Sequence, residues 1–193
     1  MYKRQDYTVT YSANTKVGTV EVTITGTGSY IGEIKSSFDI LPAKQQIQKL
    51  ETRFKGFFID WAQKGSATGY EIEYSTNADF KDSTVKKLTA NKPDTLTISG
   101  LTAGNKYYVR VRSYTNVGEK VYYGAWSDSK NVTAAKYDIT KSAISGISTK
   151  TYTGKNITQS VKVKYNGKTL KSGTDYTVSY SNNKKVGTAT VKI

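Results

Sequence analysis

Residues 6–24, DYTVTYSANTKVGTVEVTI, return as residues 175–193, DYTVSYSNNKKVGTATVKI, with 13 of 19 positions identical and no gap. No other feature constrains the fold as much: a stretch repeated this closely is one structural unit used twice, and the two copies share one design. Their surroundings differ. The first copy runs on through TGTGSYIGEIKSSFDI, whereas the second is preceded by KYDITKSAISGISTKTYTGKNITQSVKVKYNGKTLKSGT. Spliced in order, residues 137–193 followed by 25–40 make a module of about 73 residues, the size of a small domain. The expected organisation is the back part of one module at 6–41, a separate unit at 42–135, and the front part of a second module at 136–193.

Residues 1–5, MYKRQ, match nothing in the repeat. Back-translated as GTG TAT AAG AGA CAG, they resemble a transposase mosaic-end adaptor from fragment-library sequencing. They are read as translated adaptor, with Asp6 the first residue of a module entered part-way.

The repeat is written in strand vocabulary. In SVKVKYNGKTL, Val161, Val163 and Tyr165 alternate with Lys162 and Lys164, and Asn166-Gly167 suits a two-residue hairpin turn. In DYTVSY, Tyr176, Val178 and Tyr180 share a face; in GTATVKI, Ala189, Val191 and Ile193 do. With 16 tyrosines, 16 glycines and two prolines, the chain has the composition of short strands joined by tight turns.

The block at 42–135 offers seven strand-like runs: QIQKLETRF, GFFIDWAQ, GYEIEYST, STVKKLTA, DTLTISGL, KYYVRVRSY and SKNVTA. Their alternation predicts an all-β sandwich. Its core comprises Ile47 and Leu50; Phe57, Ile59 and Trp61; Tyr70, Ile72 and Tyr74; Val85 and Leu88; Leu96, Ile98 and Leu101; Tyr107, Val109 and Val111. Asp60, Glu71, Glu73, Tyr108, Arg110 and Arg112 fall on the opposite, outward face.

IDW on the second strand, GYEIEYS on the third, GLTAGNKYYVRVRSY leading into the sixth and GAWSDSKNVTA at the end together resemble a fibronectin type III domain. The resemblance implies that Tyr107, six residues after Leu101 with Gly104 in the turn, is a corner tyrosine whose hydroxyl bonds nearby backbone. It also implies that Trp61 is the core tryptophan; Ala103 stands where many members have proline. The flanking repeat is similar to immunoglobulin-like repeats of large surface proteins of clostridia-type Gram-positive bacteria. The implied fold is a fibronectin type III β-sandwich flanked by two incomplete Ig-like β modules.

Chemistry-bearing constellations are few. The chain contains no cysteine and no histidine, which removes disulfides, thiolate metal sites and the commonest general base. Glu71 and Glu73 share a strand face but read as solvated surface charge rather than an acid–base pair. Asp79 and Asp82, in NADFKDS, lack the spaced acidic pattern of a calcium loop. LPAKQ at 41–45 only superficially resembles a sortase signal and reads as an interdomain linker punctuated by Pro42. No catalytic, cofactor-binding or metal residue is assigned, and no cofactor.

The net charge of +14 is uneven, with −2 on residues 6–40, +5 on 41–135 and +8 on 137–193. The lysines of 150–192 read first as a solvated outer face of strands, with weak, salt-sensitive attraction to anionic cell-wall polymers second and nucleic acid, which is not expected as a partner, third. Tyr122 and Tyr123, in TNVGEKVYYGAW, are the candidate binding residues for a host glycan or protein, the alternative being that they cover the edge of the sheet. No window of about 18 apolar residues spans a membrane. The expected role is a non-catalytic spacer or adhesion-stalk segment of a bacterial surface or secreted protein, its partners being neighbouring modules of the parent chain. The alternatives are accessory modules of a wall- or carbohydrate-acting enzyme, or a binding module.

Overall fold

A computed structural model describes residues 6–62, 65–92 and 94–193. The reading of residues 1–5 as adaptor lies outside the described residues. The chain divides into two compact units, one ending at Lys136 and the other spanning Tyr137–Ile193.

The first unit begins with an antiparallel sheet of β1 (Tyr7–Tyr11), β2 (Gly18–Gly26) and β3 (Glu33–Ile40), in that order. Strand alternation sorts its two faces. Val9 opposes Ile24 and Tyr11 opposes Val22, while Val20 opposes Phe38 and Ile24 opposes Ile34, so the apolar residues share one face. Thr19, Glu21, Lys35 and Asp39 share the other, where Lys35 pairs with Glu21 at 3.1 Å.

All seven predicted runs of the middle block are strands. One sheet joins β4 (Ile47–Arg53), β5 (Gly56–Trp61) and β8 (Thr95–Ile98). The other joins β6 (Gly69–Ser75), β7 (Thr84–Leu88), β9 (Lys106–Val117), β10 (Lys120–Tyr123) and β11 (Lys130–Thr133). Between them lies a core of Ile47, Phe57, Ile59, Trp61, Tyr70, Ile72, Ile98, Val109, Val111 and Val132, with Leu50, Tyr74, Leu88, Leu96 and Leu101 at its margin. Trp61 is fully buried with its ring 5.3 Å from that of Tyr70.

Two sequence expectations meet the parity of strands differently. Ile47 and Leu50 are three apart, which on a regular strand places them on opposite faces. A β-bulge between Ile47 and Lys49 resets the register, and both turn inward. Val85 and Leu88 have the same spacing on β7, whose ladder to β6 is regular from Thr84 to Leu88. Val85 therefore stands beside Glu73 on the outer face and is 48% exposed, while Leu88 faces the core; Val85 is not a core residue.

The second unit contains a sheet of β12 (Ala143–Ser145), β13 (Lys162–Tyr165) and β14 (Lys168–Thr169), and a pair, β15 (Ser179–Ser181) with β16 (Thr190–Lys192). Asn166 and Gly167 form the two-residue turn between β13 and β14, both with positive φ, as a hairpin of this kind demands. The repeat is a structural one. Tyr180 opposes Val191 and Ser179 opposes Lys192, which is the register of Tyr11 with Val22 and Thr10 with Thr23 in the first copy.

Candidate functional site

Two side-chain assemblies stand out in the first unit, and both involve the tyrosines of the β9–β10 hairpin. Tyr122 is 5% exposed, so its ring is not presented to solvent. Its hydroxyl lies 2.7 Å from Thr19 Oγ1 on the polar face of β2. Thr19 donates to Asp39 Oδ1 at 2.6 Å and accepts from Lys120 Nζ at 3.2 Å. A hydroxyl has one proton to give, so Tyr122 is the donor in its bond to Thr19, whose hydrogen-bonding capacity is then full.

Lys120 also pairs with Asp39 at 3.1 Å and lies 4.5 Å from the centre of the Tyr122 ring. The Thr19 hydroxyl, and after it the Lys120 ammonium, hold the Asp39 carboxyl below its ordinary range. Asp39 and then Tyr122 raise the Lys120 ammonium above its own.

The connecting segment closes against the same hairpin. Pro42 is buried and Gln45 fully so, with Gln45 Nε2 donating to Ser113 Oγ at 3.0 Å. Gly124 permits the approach, since a Cβ there would stand 2.7 Å from the Pro42 carbonyl oxygen. The linker read from LPAKQ is thus a packed element. Together these contacts form a seam joining the β1–β2–β3 sheet to the sandwich.

Tyr123 belongs to the second assembly, a stack of rings and cations on the outer face of the five-stranded sheet. In order along the stack, Arg110 lies 4.0 Å from the Phe80 ring and 4.7 Å from Trp126. Arg112 follows at 4.2 Å from Trp126 and 4.1 Å from Tyr123, and Lys87 closes the row 4.4 Å from Tyr114. Beneath it, Glu73 accepts from Arg110 Nε at 2.6 Å, and Glu71 accepts from Arg112 Nε and Nη2 at 2.9 and 2.7 Å.

The outward carboxylates are therefore not solvated surface charge, as their strand face suggests. Glu71 and Glu73 are each 7% exposed, roofed by the arginines directly opposite them in the ladder. The signal lay in the pairing of ExE with RxR. The roof comes from an irregularity that periodicity does not reveal: between β10 and β11 the chain leaves the ladder, and Ser127 Oγ accepts the Val111 N–H at 3.1 Å.

Loop residues 75–83 close one end of the stack. Ser75 Oγ and Asn77 Nδ2 both donate to the Lys81 carbonyl, and Asp79 accepts the Lys81 N–H, which holds Phe80 in a left-handed conformation over Arg110. Asp79 is thus used in turn formation. At the corner before β9, Tyr107 accepts the Thr102 N–H at 3.1 Å, and Leu101 packs against the core. Among the described residues, no group of three or more Asp and Glu side chains is arranged to hold a metal ion.

Comparison with known proteins agrees with this geometry. Residues 48–128 match the family model of the fibronectin type III domain. No curated protein matches the chain. Among solved structures, the crystal structure of the chicken CNTN1 FN1–FN3 domains is similar at 14% identity and a TM-score of 0.45, covering 63% of this chain and 44% of that one. This chain thus spans less than half the length of that structure. The central block of the chain, residues 48–128, is a fibronectin type III domain.

Proposed function

We propose that the chain is a non-catalytic spacer segment of a bacterial cell-surface or secreted multidomain protein, in which consecutive β modules are joined stiffly to form an adhesion stalk. One observation carries this reading: the seam in which Tyr122 and Lys120 of the hairpin grip Thr19 and Asp39 of the preceding sheet. The reach of flexibly joined modules grows only as the square root of their number, whereas modules locked by side-chain contacts extend in proportion to it. Burial of Tyr122 turns the candidate binding hairpin toward its neighbouring module. Fibronectin type III domains are general modules of multidomain proteins, which is compatible with such a role.

The excess of positive charge suits an environment of anionic wall polymers, an attraction that falls with salt. The reading is tested by displaying the chain between a wall anchor and a reporter adhesin on a bacterial surface. A spacer restores adhesin access to a surface-bound target, and an unrelated pair of β-sandwiches of equal length restores it as well. Saturable binding of the chain itself to a glycan or matrix-protein panel at physiological salt would instead make it a recognition module.

A further inference from the structure

The two copies of the repeat present the same side chains to different surroundings. In the second copy Tyr176 is 8% exposed and its hydroxyl donates to the Val161 carbonyl at 3.0 Å. Tyr180 donates to the Gln159 carbonyl at 2.7 Å and accepts the Gln159 N–H at 3.1 Å. Asn183 donates from Nδ2 to the Ile157 carbonyl, while its own carbonyl accepts the Ile157 N–H, both at 2.8 Å. One segment, residues 157–161, with a tight turn in which the Val161 N–H returns to the Gln159 carbonyl at 3.1 Å, is thus held at every second residue by a tyrosine, tyrosine, asparagine triad.

The gapless alignment makes Tyr7, Tyr11 and Asn14 their equivalents in the first copy, and Tyr11 shares the strand register of Tyr180. There Tyr7 is 50% and Tyr11 54% exposed, and Asn14 is exposed as well. The apolar face they belong to continues across the sheet through Val9, Ile34 and Phe38, all exposed.

We propose that this face of the β1–β2–β3 sheet is a docking site for a polypeptide segment of the same kind as residues 157–161. Tyr7 and Tyr11 would take alternate backbone carbonyls, and Asn14 would take a backbone amide and carbonyl. The ligand is recognised mainly through its main chain, with β-branched side chains such as those of Ile157 and Val161 laid on the apolar face. A free segment is the favoured occupant over a second folded copy. In that copy the segment is already bound to Tyr176 and Tyr180, and transferring it empties one face to fill another. The inference rests on the repeat and holds whether or not the chain is a spacer.

The test adds a synthetic peptide of residues 152–166 to the isotope-labelled full chain and follows backbone amide shifts. Saturable changes at residues 7–14 and 20–24 are expected, with affinity falling at least tenfold in the Tyr7→Phe, Tyr11→Phe double variant. Both hydroxyls are on exposed side chains, so that variant keeps its fold, and unchanged dispersion of the other amides verifies it. A peptide of scrambled sequence should leave the spectrum unmoved. The proposal is overturned by shifts confined to residues 175–193, by equal affinity in the double variant, or by no saturable change. A dimer of the full chain in sedimentation equilibrium that the Tyr7→Phe, Tyr11→Phe double variant abolishes would overturn the choice of occupant.

Discussion

Tyr122 combines an apolar ring with a hydroxyl that needs a partner, and burying it beside Thr19 satisfies both requirements. Tyr122→Phe keeps the ring and leaves one acceptor lone pair of Thr19 without its donor. Chemical denaturation should show a loss of about 1 kcal/mol, the usual net worth of one hydrogen bond. Faster amide exchange at Thr19 and Asp39 should accompany it. Unchanged exchange there would show that the hydroxyl contributes nothing to the seam.

The Asp39–Lys120 pair sets the pH behaviour of the seam. Asp39 titrates below its ordinary value in the folded chain, so its stabilisation is present above the unfolded carboxylate range, about pH 3.9, and is lost as pH falls through the depressed value. Lys120 is shifted upward, so its share is complete below about pH 10.4 and lost as pH rises through the raised value. Both side chains are substantially exposed, so added salt should weaken the pair. Protection factors of the Thr19 and Asp39 amides, referred to the intrinsic exchange rate at each pH, should therefore be flat through neutrality and fall at both extremes. A step near neutral pH would contradict the assignment. None of these partners was legible in the sequence, because Thr19 and Tyr122 are 103 residues apart and no local pattern links them.

At the scale of the element, periodicity served well where ladders are regular and failed where they are not. It placed Phe57, Ile59 and Trp61 in the core of β5, and it put Glu71 and Glu73 on the correct face of β6. It could not show that the chain after β10 leaves its ladder and brings Trp126 over Arg110 and Arg112. Trp126→Ala removes two cation–π contacts at a partly desolvated face, a loss of about 2 kcal/mol. Thermal unfolding should register it as a lowered Tm, and an unaltered Tm would mean the stack is only an arrangement of surface side chains.

Gly124→Ala acts on a different element. The added methyl meets the Pro42 carbonyl, which belongs to main chain and cannot swing aside, so the expected cost is about 1–3 kcal/mol. Exchange protection around residues 42–45 should fall with it. A variant as stable as the parent would show that the linker tolerates displacement from the hairpin.

At the scale of the molecule, the repeat was the most informative line of the sequence, and the shared register of its two copies makes it a structural repeat as well. What the sequence did not disclose is that residues 6–40 and the fibronectin type III domain form a single compact unit.

That union is the central claim, and residual dipolar couplings test it most directly. Amides of β2 and β3 and amides of β5, β6 and β9 should fit one alignment tensor of the same magnitude and orientation in the full chain. Two tensors of different magnitude would mean that the sheet and the sandwich move independently and that the seam of Thr19, Asp39, Lys120 and Tyr122 does not hold them.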